Sequence, residues 1–278
     1  SGKTVTTVED SSIVLSASEF AFADDDIGDA LQAITLTSLP ASGVLEQYNG
    51  SAWVAVVQDQ NISKITLDNG HLRFTPSANE NGTNYTSFEF VVSDGTTPSA
   101  SAIININVTP ANDAPVVQTG ADTADAADDT SGVGSVSTDE DTDKTFAADD
   151  FNFYDIDNDA LSSVSITALP TDGKIFIDGV ELTGDNLATL GSAISKADID
   201  AGKLIFRPDA DESGTGYAAF TYTVNDGTAS SAAATMTIDV TPVNDAPVVS
   251  AITATKTEND SSFVTNLTAG QTDPDGDT

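Results

Sequence analysis

Three runs of closely spaced aspartates recur along the chain: Asp24-Asp25-Asp26-x-x-Asp29, Asp155-x-Asp157-x-Asp159 and Asp273-x-Asp275-x-Asp277. Alternate carboxylates in an extended loop can converge on one hard cation. Calcium suits them, because it accepts about 6–8 oxygen ligands in irregular geometry. One Asp-x-Asp alone reads as a solvated turn; recurrence in three copies favours a ligand role. The run is not an EF-hand loop, which needs Gly at its sixth position and Glu at its twelfth. Counting from Asp155, those positions hold Ala160 and Ile166. The glycine-rich nonapeptide of calcium-binding β-rolls is also absent. Ligands for a cation must therefore be gathered from distant parts of the chain.

Composition points the same way. Lys plus Arg is 9 and Asp plus Glu is 44, so the net charge over 278 residues is 9 − 44 = −35. That excludes a phosphate-binding face for nucleic acid and adsorption to anionic membrane surfaces. The acid is lopsided, 35 Asp against 9 Glu, and Asp is the residue of loops, turns and calcium sites. Repulsion on this scale opposes compaction unless cations screen or bind it. An extracellular, calcium-rich medium fits such a chain. There is no cysteine, which removes disulfides, thiolate catalysis and Cys-based zinc sites. No run is long and apolar enough to insert in a membrane. The start at Ser1-Gly2 and the stop inside a repeated motif read as a fragment of something longer.

The elements that must position these acids are repeated. Val108-Thr-Pro-Ala-Asn112-Asp113-Ala-Pro115-Val-Val returns as Val240-Thr-Pro-Val-Asn244-Asp245-Ala-Pro247-Val-Val. Glu9-Asp10 matches Glu140-Asp141, and Glu258-Asn259 opens a third copy. Phe20-x-Phe22, Leu39-Pro40-x-x-Gly43, Phe74-x-Pro76, Asn79-Glu80-x-Gly82 and Phe88-x-Phe90-x-Val92-x-Asp94-Gly95 each have a counterpart in the same order. Among those counterparts are Asp211-Glu212-x-Gly214 and Phe220-x-Tyr222-x-Val224-x-Asp226-Gly227. Ordered self-similarity at one period is the mark of a tandem array. It divides the chain into repeat 1 (1–115), repeat 2 (116–247) and the start of a third (248–278). From Pro115 to Glu140 takes 25 steps, whereas Pro247 to Glu258 takes 11. The surplus, about 119–132, is mostly Ala, Asp, Thr and Gly with no large apolar residue, and reads as a flexible or a ligand-bearing insertion.

Within each repeat the pattern is β. Ile34-Thr-Leu36, Ile104 to Val108, Val164-Ser-Ile166, Phe220 to Val224 and Met236 to Val240 alternate apolar and polar residues. Such strands place one face on a core and one in water. Short strands with turn signals at near-regular spacing predict an all-β, Ig-like Greek-key sandwich. Only Asp185 to Gly202 predicts a helix, with Asp185 as cap, Leu187, Leu190 and Ile194 on one face and Gly202 as stop. The matching stretch of repeat 1, Val44 to Gly70, predicts strands instead. Phe20, Phe22, Phe151 and Phe153 are expected in the cores.

The Asn-Asp-Ala-Pro linker, the early Glu-Asp, the Asp-x-Asp loop and the late Val-x-Asp-Gly together resemble cadherin-type repeats. They are most similar to the tandem cadherin-like repeats that extend large bacterial surface adhesins of the RTX type. Ser195-Lys-Ala-Asp198-Ile-Asp-Ala-Gly202-Lys-Leu is also similar to the related repeats of chondroitin-sulfate proteoglycans. The resemblance spans nearly the whole chain and implies β-sandwiches in an extended rod, with Ca2+ bound between successive repeats. It implies a first ligand set of Glu9, Glu80, Asn112, Asp113, Asp155, Asp157 and Asp226, with Asp159 completing the loop. The second set would be Glu140, Glu212, Asn244, Asp245, Asp273 and Asp275. Two features depart from the family pattern: the first aspartate run is spaced differently, and the insertion follows Pro115.

Other readings are plainer. The Asn-Asp-Ala-Pro run also reads as a linker with a proline stop, and Asp94-Gly95 and Asp226-Gly227 as hairpin turns. Trp53 beside Val-Ala-Val-Val reads first as packing. His71, the only histidine, has no partner set for catalysis or zinc. Asn61-Ile-Ser63 and Asn81-Gly-Thr83 are glycosylation sequons that carry weight only outside bacteria. No nucleophile elbow, phosphate loop or histidine triad can be assembled. The chain thus reads as a non-enzymatic, monomeric stretch of calcium-stabilised adhesion repeats whose partners are calcium and neighbouring repeats. The alternative is a cadherin-like module attaching to surface polysaccharide, which an exposed aromatic platform around Tyr48 and Trp53 would favour.

Overall fold

A computed structural model describes residues 2–23, 29–118, 133–246, 248–249 and 271–272. The chain divides into two compact units, 1–111 and 112–278. Of the described residues, 44% are strand and 9% helix, and both units are β-sandwiches of the Ig-like, cadherin-like class.

In unit 1 the strands are β1 (Lys3–Val8), β2 (Ile13–Val14), β3 (Ala33–Leu36), β4 (Val44–Tyr48), β5 (Trp53–Ala55), β6 (Asn61–Ser63), β7 (Leu72–Thr75), β8 (Gly82–Ser93) and β9 (Ala102–Thr109). They form a five-stranded sheet of order β1-β9-β8-β3-β6 and a four-stranded sheet of order β2-β7-β4-β5. β1 runs parallel to β9, with Lys3 opposite Ile104 and Val8 opposite Thr109. The alternation seen in sequence sends Phe88, Phe90, Ile104 and Ile106 inward from one sheet and Leu45, Leu72 and Phe74 from the other. Each such side chain, taken from water, contributes on the order of 1.5–3 kcal/mol.

Unit 2 repeats the plan with β10 (Val116–Val117), β11 (Val133–Asp139), β12 (Lys144–Thr145), β13 (Phe153–Tyr154), β14 (Ser163–Ala168), β15 (Lys174–Ile177), β16 (Val180–Glu181), β17 (Ile194–Ser195), β18 (Leu204–Arg207), β19 (Gly214–Asn225) and β20 (Ala234–Thr241). The sheet orders are β11-β20-β19-β14-β17 and β12-β18-β15-β16, the same as in unit 1. The correspondence extends to irregularities. The register shifts between Gly82 and Thr86 and again between Gly214 and Ala218. Inside those bulges, Asn84 and Gly216 take positive φ and donate their backbone N–H to Asn107 and Asp239 side chains at 2.8 and 2.6 Å.

The Leu-Pro-x-x-Gly motif has a steric cause. Gly43 and Gly173 sit at φ +72° and +67°, and a Cβ there would lie 2.5 and 2.4 Å from the ring tips of Phe74 and Phe206. Of the four phenylalanines expected in the cores, Phe20 and Phe151 are buried, and Phe22 and Phe153 pack half-buried against the same clusters.

The helix expected over 185–202 is a correction. Unit 1 carries α1 (Lys64–Asp68), and the segment 185–202 splits into two short helices, α2 (Leu187–Leu190) and α3 (Lys196–Asp200). Ala193 between α2 and α3 has φ +55°, which no helix continues. Ile194 pairs with Val164 at the edge of the sheet instead of completing a helical face. Ser195, not Asp185, provides a cap, its Oγ accepting the Asp198 N–H at 3.1 Å. Unit 1 carries the matching α1, capped the same way by Ser63, after the strands expected there.

Candidate functional site: acidic groups at both ends of unit 2

Where the chain enters unit 2, the Asn-Asp-Ala-Pro linker is stitched to the Asp-x-Asp-x-Asp loop by a two-residue ladder. β10 pairs antiparallel with β13, Val116 opposite Tyr154 and Val117 opposite Phe153. The next residue after Tyr154 is Asp155, so the ladder brings the linker alongside the acidic loop. The Asp113 N–H donates to Asp157 Oδ2 at 2.7 Å. The Asn112 side-chain amide donates to the Asp113 carbonyl at 2.6 Å and to Asp226 Oδ2 at 3.0 Å. Asn112, Asp113, Asp155, Asp157 and Asp226 are thereby gathered from three separate stretches of chain. The backbone of the third copy begins identically: Val248 pairs with Thr272, and Asp273 follows. Asp273 and Asp275 themselves lie outside the described residues, as do Asp24 to Asp26 and the insertion.

Asp155 is the centre of this group. It is 6% exposed. Its Oδ1 accepts the N–H groups of Asp157 and Asp159 at 2.9 and 3.2 Å, while its buried Oδ2 accepts no hydrogen bond among the described residues. Burial pushes its pKa up, and the negative charges of Asp157 and Asp226 add to that. A buried carboxylate oxygen without a donor is costly. A cation is the partner that would satisfy it and offset the repulsion. Asp226 behaves oppositely. Desolvation raises its pKa, but the N–H groups of Ala229 and Thr228 and the Asn112 amide outweigh this and hold it lowered. Asp159 is exposed and Asp157 half-buried. All the ligands offered are oxygens, which fits calcium or magnesium and not zinc or copper.

A second group lies at the other end of β19. Asp211 and Glu212 precede its first residue and Asp226 follows its last; twelve strand residues span roughly 35–40 Å. Glu140 is 4% exposed, and its Oε1 accepts the Val243 N–H at 2.5 Å. It therefore anchors the chain just before Asn244-Asp245. Exposed Glu212 accepts the Tyr217 hydroxyl at 2.8 Å, and burial together with that bond pushes the phenol up to about 12. Asn244 repeats the local turn of Asn112, its amide donating to the Asp245 carbonyl at 2.7 Å. In unit 1 the same roles recur. Glu9, 2% exposed, accepts the Ala111 N–H at 2.6 Å and the Asn81 amide at 3.0 Å, and Glu80 accepts the Tyr85 hydroxyl at 2.5 Å.

The tightest acidic grouping among the described residues includes two positions that the motif reading passed over. Carboxylate oxygens of Asp141, Asp211 and Asp245 lie within 4.8 Å of one another. Asp141 and Asp211 occupy left-handed turns at φ +57°, as Asp10 (φ +56°) and Asn79 (φ +55°) do in unit 1. The turns are cross-braced, Asp211 N–H to Asp141 Oδ1 at 3.3 Å and Asn79 N–H to Asp10 Oδ1 at 3.0 Å. The signal lay in the Glu-Asp and Asp-Glu pairs: the glutamates of those pairs were singled out, but the adjacent aspartates supply the convergent oxygens.

The site and fold define an Ig-like sandwich repeat with acidic ends. Residues 1–107 match the family model described as a bacterial Ig domain. Among solved structures, the extracellular domain of protocadherin gammaB4 is similar at 14% identity and TM-score 0.42, over 90% of this chain and 34% of that one. Extracellular cadherin domains 1–4 of protocadherin gammaB7 are similar at 13% identity and TM-score 0.43, over 93% and 54%. Human CDH23 EC21-23 is similar at 16% identity and TM-score 0.43, over 98% and 78%. The chain thus spans about a third and about half the length of the first two. No curated protein matches the sequence. No helix among the described residues is long and apolar enough to cross a membrane.

Proposed function

We propose that this chain is a stretch of calcium-stabilised adhesion repeats of an extracellular bacterial surface protein, non-enzymatic and structural in role. Its domains would be repeat 1 at 1–115, repeat 2 at 116–247 and the start of a third at 248–278. Calcium held by the clustered acids where one repeat passes to the next would neutralise their repulsion and stiffen the array. The observation that carries the reading is Asp155, a buried carboxylate whose Oδ2 accepts no hydrogen bond among the described residues, set beside two further acids. The bacterial Ig domain match over residues 1–107 supports the bacterial, surface-exposed placement. Asn112, Asp113, Asp155, Asp157 and Asp226 would contribute to one ion group, with Asp159 at its margin, and Glu9 and Glu80 would serve as ligands at the end of unit 1 that carries them. Glu140, Asp141, Asp211, Glu212, Asn244 and Asp245 would serve the next, together with Asp273 and Asp275.

The test is thermal unfolding in EDTA, across a calcium titration, with magnesium as control. The expected result is a calcium-specific rise in Tm that saturates, since a ligand binding only the folded state at about 100 times its Kd adds about 2.7 kcal/mol. An unchanged Tm from EDTA to millimolar calcium would leave the aspartates as solvated loops and overturn the reading.

A further inference from the structure

The outward face of the four-stranded sheet of unit 1 carries a feature unrelated to the acidic ends. His71, the residue before β7, forms one row with Tyr48 of β4 and Trp53 of β5. Tyr48 lies directly opposite Trp53 and bonds through its N–H to the His71 carbonyl at 2.9 Å. Their ring centroids are 5.2 Å apart from His71 to Tyr48 and 5.6 Å from Tyr48 to Trp53, each ring tilted by more than 50° to its neighbour. All three are half-buried, whereas Leu45, Leu72 and Phe74 on the same strands point into the core and are buried. Beside the row, Arg73 lies 4.3 Å over the Trp53 ring and donates through Nε to Glu46 at 2.7 Å. The guanidinium is pinned from two sides, and it in turn holds the indole in place.

This row is not a requirement of the fold. Unit 2 builds the same sheet order without it. There the equivalent hairpin of β15 and β16 closes after Ile177 through Asp178 and Gly179, both at positive φ, a tight two-residue turn. Unit 1 instead extends the hairpin by one more cross-strand pair, Tyr48 and Trp53, before a loop in which Asn49 Oδ1 accepts the N–H groups of Ser51 and Ala52. The extension adds two aromatic side chains and leaves them at the surface. Lys203 stands where unit 1 has His71.

We infer that this face of unit 1 binds a neutral polysaccharide. Aromatic faces pack against the C–H faces of sugar rings; Arg73 covers one face of Trp53, and the exposed remainder of Trp53 and Tyr48 presents such area at little conformational cost. The Arg73–Glu46 pair at the margin supplies charge-assisted donors and acceptors for hydroxyls. A net charge of −35 repels polyanionic glycans and leaves neutral chains as the favoured class. The tilt between successive rings makes the row stepped, which suits a soluble chain that turns from one sugar to the next. None of the acids assigned to calcium belongs to the row, so the inference stands apart from the calcium reading.

Trp53 is the only tryptophan in the chain, so selectively excited tryptophan fluorescence reports on this face alone. The full chain would be titrated with soluble β-1,3-glucan, xyloglucan and galactomannan, with alginate as the anionic control, in EDTA and in calcium. Affinity electrophoresis on the same polysaccharides would run in parallel. At least one neutral chain is expected to shift Trp53 emission and slow migration in both conditions, and alginate to do neither. Trp53→Ala is expected to weaken retention about ten-fold or more, a change of about 1.4 kcal/mol; Trp53→Tyr should keep most of it and Phe176→Ala all of it. Should Trp53→Ala fail to fold, the wild-type emission titration and the Tyr48→Ala variant decide. Absence of any emission shift with all three neutral chains, or retention unchanged in Tyr48→Ala and Trp53→Ala, would overturn the proposal.

Discussion

Replacing Asp155 by Asn separates a metal ligand from a structural turn residue. Asn keeps Oδ1 as acceptor for the Asp157 and Asp159 N–H groups at 2.9 and 3.2 Å, so the loop geometry is retained. It exchanges the buried Oδ2 for a neutral amide NH2, which removes the repulsion that Asp157 and Asp226 exert on a charged Asp155. An unsatisfied buried acceptor costs about 1–3 kcal/mol, and more when charged. Relieving it should therefore stabilise the metal-free protein by about 1 kcal/mol or more. For a unit of this size that is roughly 2–4 °C in Tm per kcal/mol. In saturating calcium the order should reverse, because the variant loses a ligand and much of the roughly 2.7 kcal/mol available at 100 times Kd. The pH dependence has a matching sign. The folded pKa of Asp155 is raised, so in EDTA its penalty grows as pH rises from the unfolded value through the folded one, and is relieved on acidification. Calorimetry of wild type and Asp155→Asn in EDTA and in calcium reads both effects. A variant less stable than wild type in EDTA, with an undiminished calcium response, would refute the assignment of Asp155 as a ligand.

Two further outcomes are expected. Gly43→Ala and Gly173→Ala each drive a Cβ to within 2.5 Å of a core phenylalanine at positive φ, so each should cost about 2–4 kcal/mol, seen as a lower denaturation midpoint with an unchanged slope. Ultraviolet titration should find Tyr217 ionising near 12, and Glu212→Gln should lower it. Because the folded value exceeds 10.0, this tyrosine's contribution to stability is lost as pH climbs between the two.

The repeats, the strands and the core phenylalanines were legible from residue order alone. Period-two alternation over Phe220 to Val224 reports which face is buried, because successive side chains in a strand point to opposite sides. The paired Leu-Pro-x-x-Gly motifs were legible as repeat anchors, while the steric reason for Gly43 and Gly173 came only with the fold. Local pattern misled over 185–202, where helical spacing of Leu187, Leu190 and Ile194 lost to pairing of Ile194 with Val164. A contact thirty residues away outweighed a short helix that is marginal by itself. The chemistry was legible by type but not by position. Asp and Glu stand side by side in Glu140-Asp141 and Asp211-Glu212, and only the folded chain shows that the glutamates are committed to the Val243 N–H and the Tyr217 hydroxyl. The aspartates beside them converge with Asp245. Tyr48 and Trp53 were legible as an aromatic platform, but His71 joins them only through strand register, which no run of neighbouring residues encodes. Strand faces follow from sequence periodicity; which oxygens and rings share a site follows from pairings across the sheets.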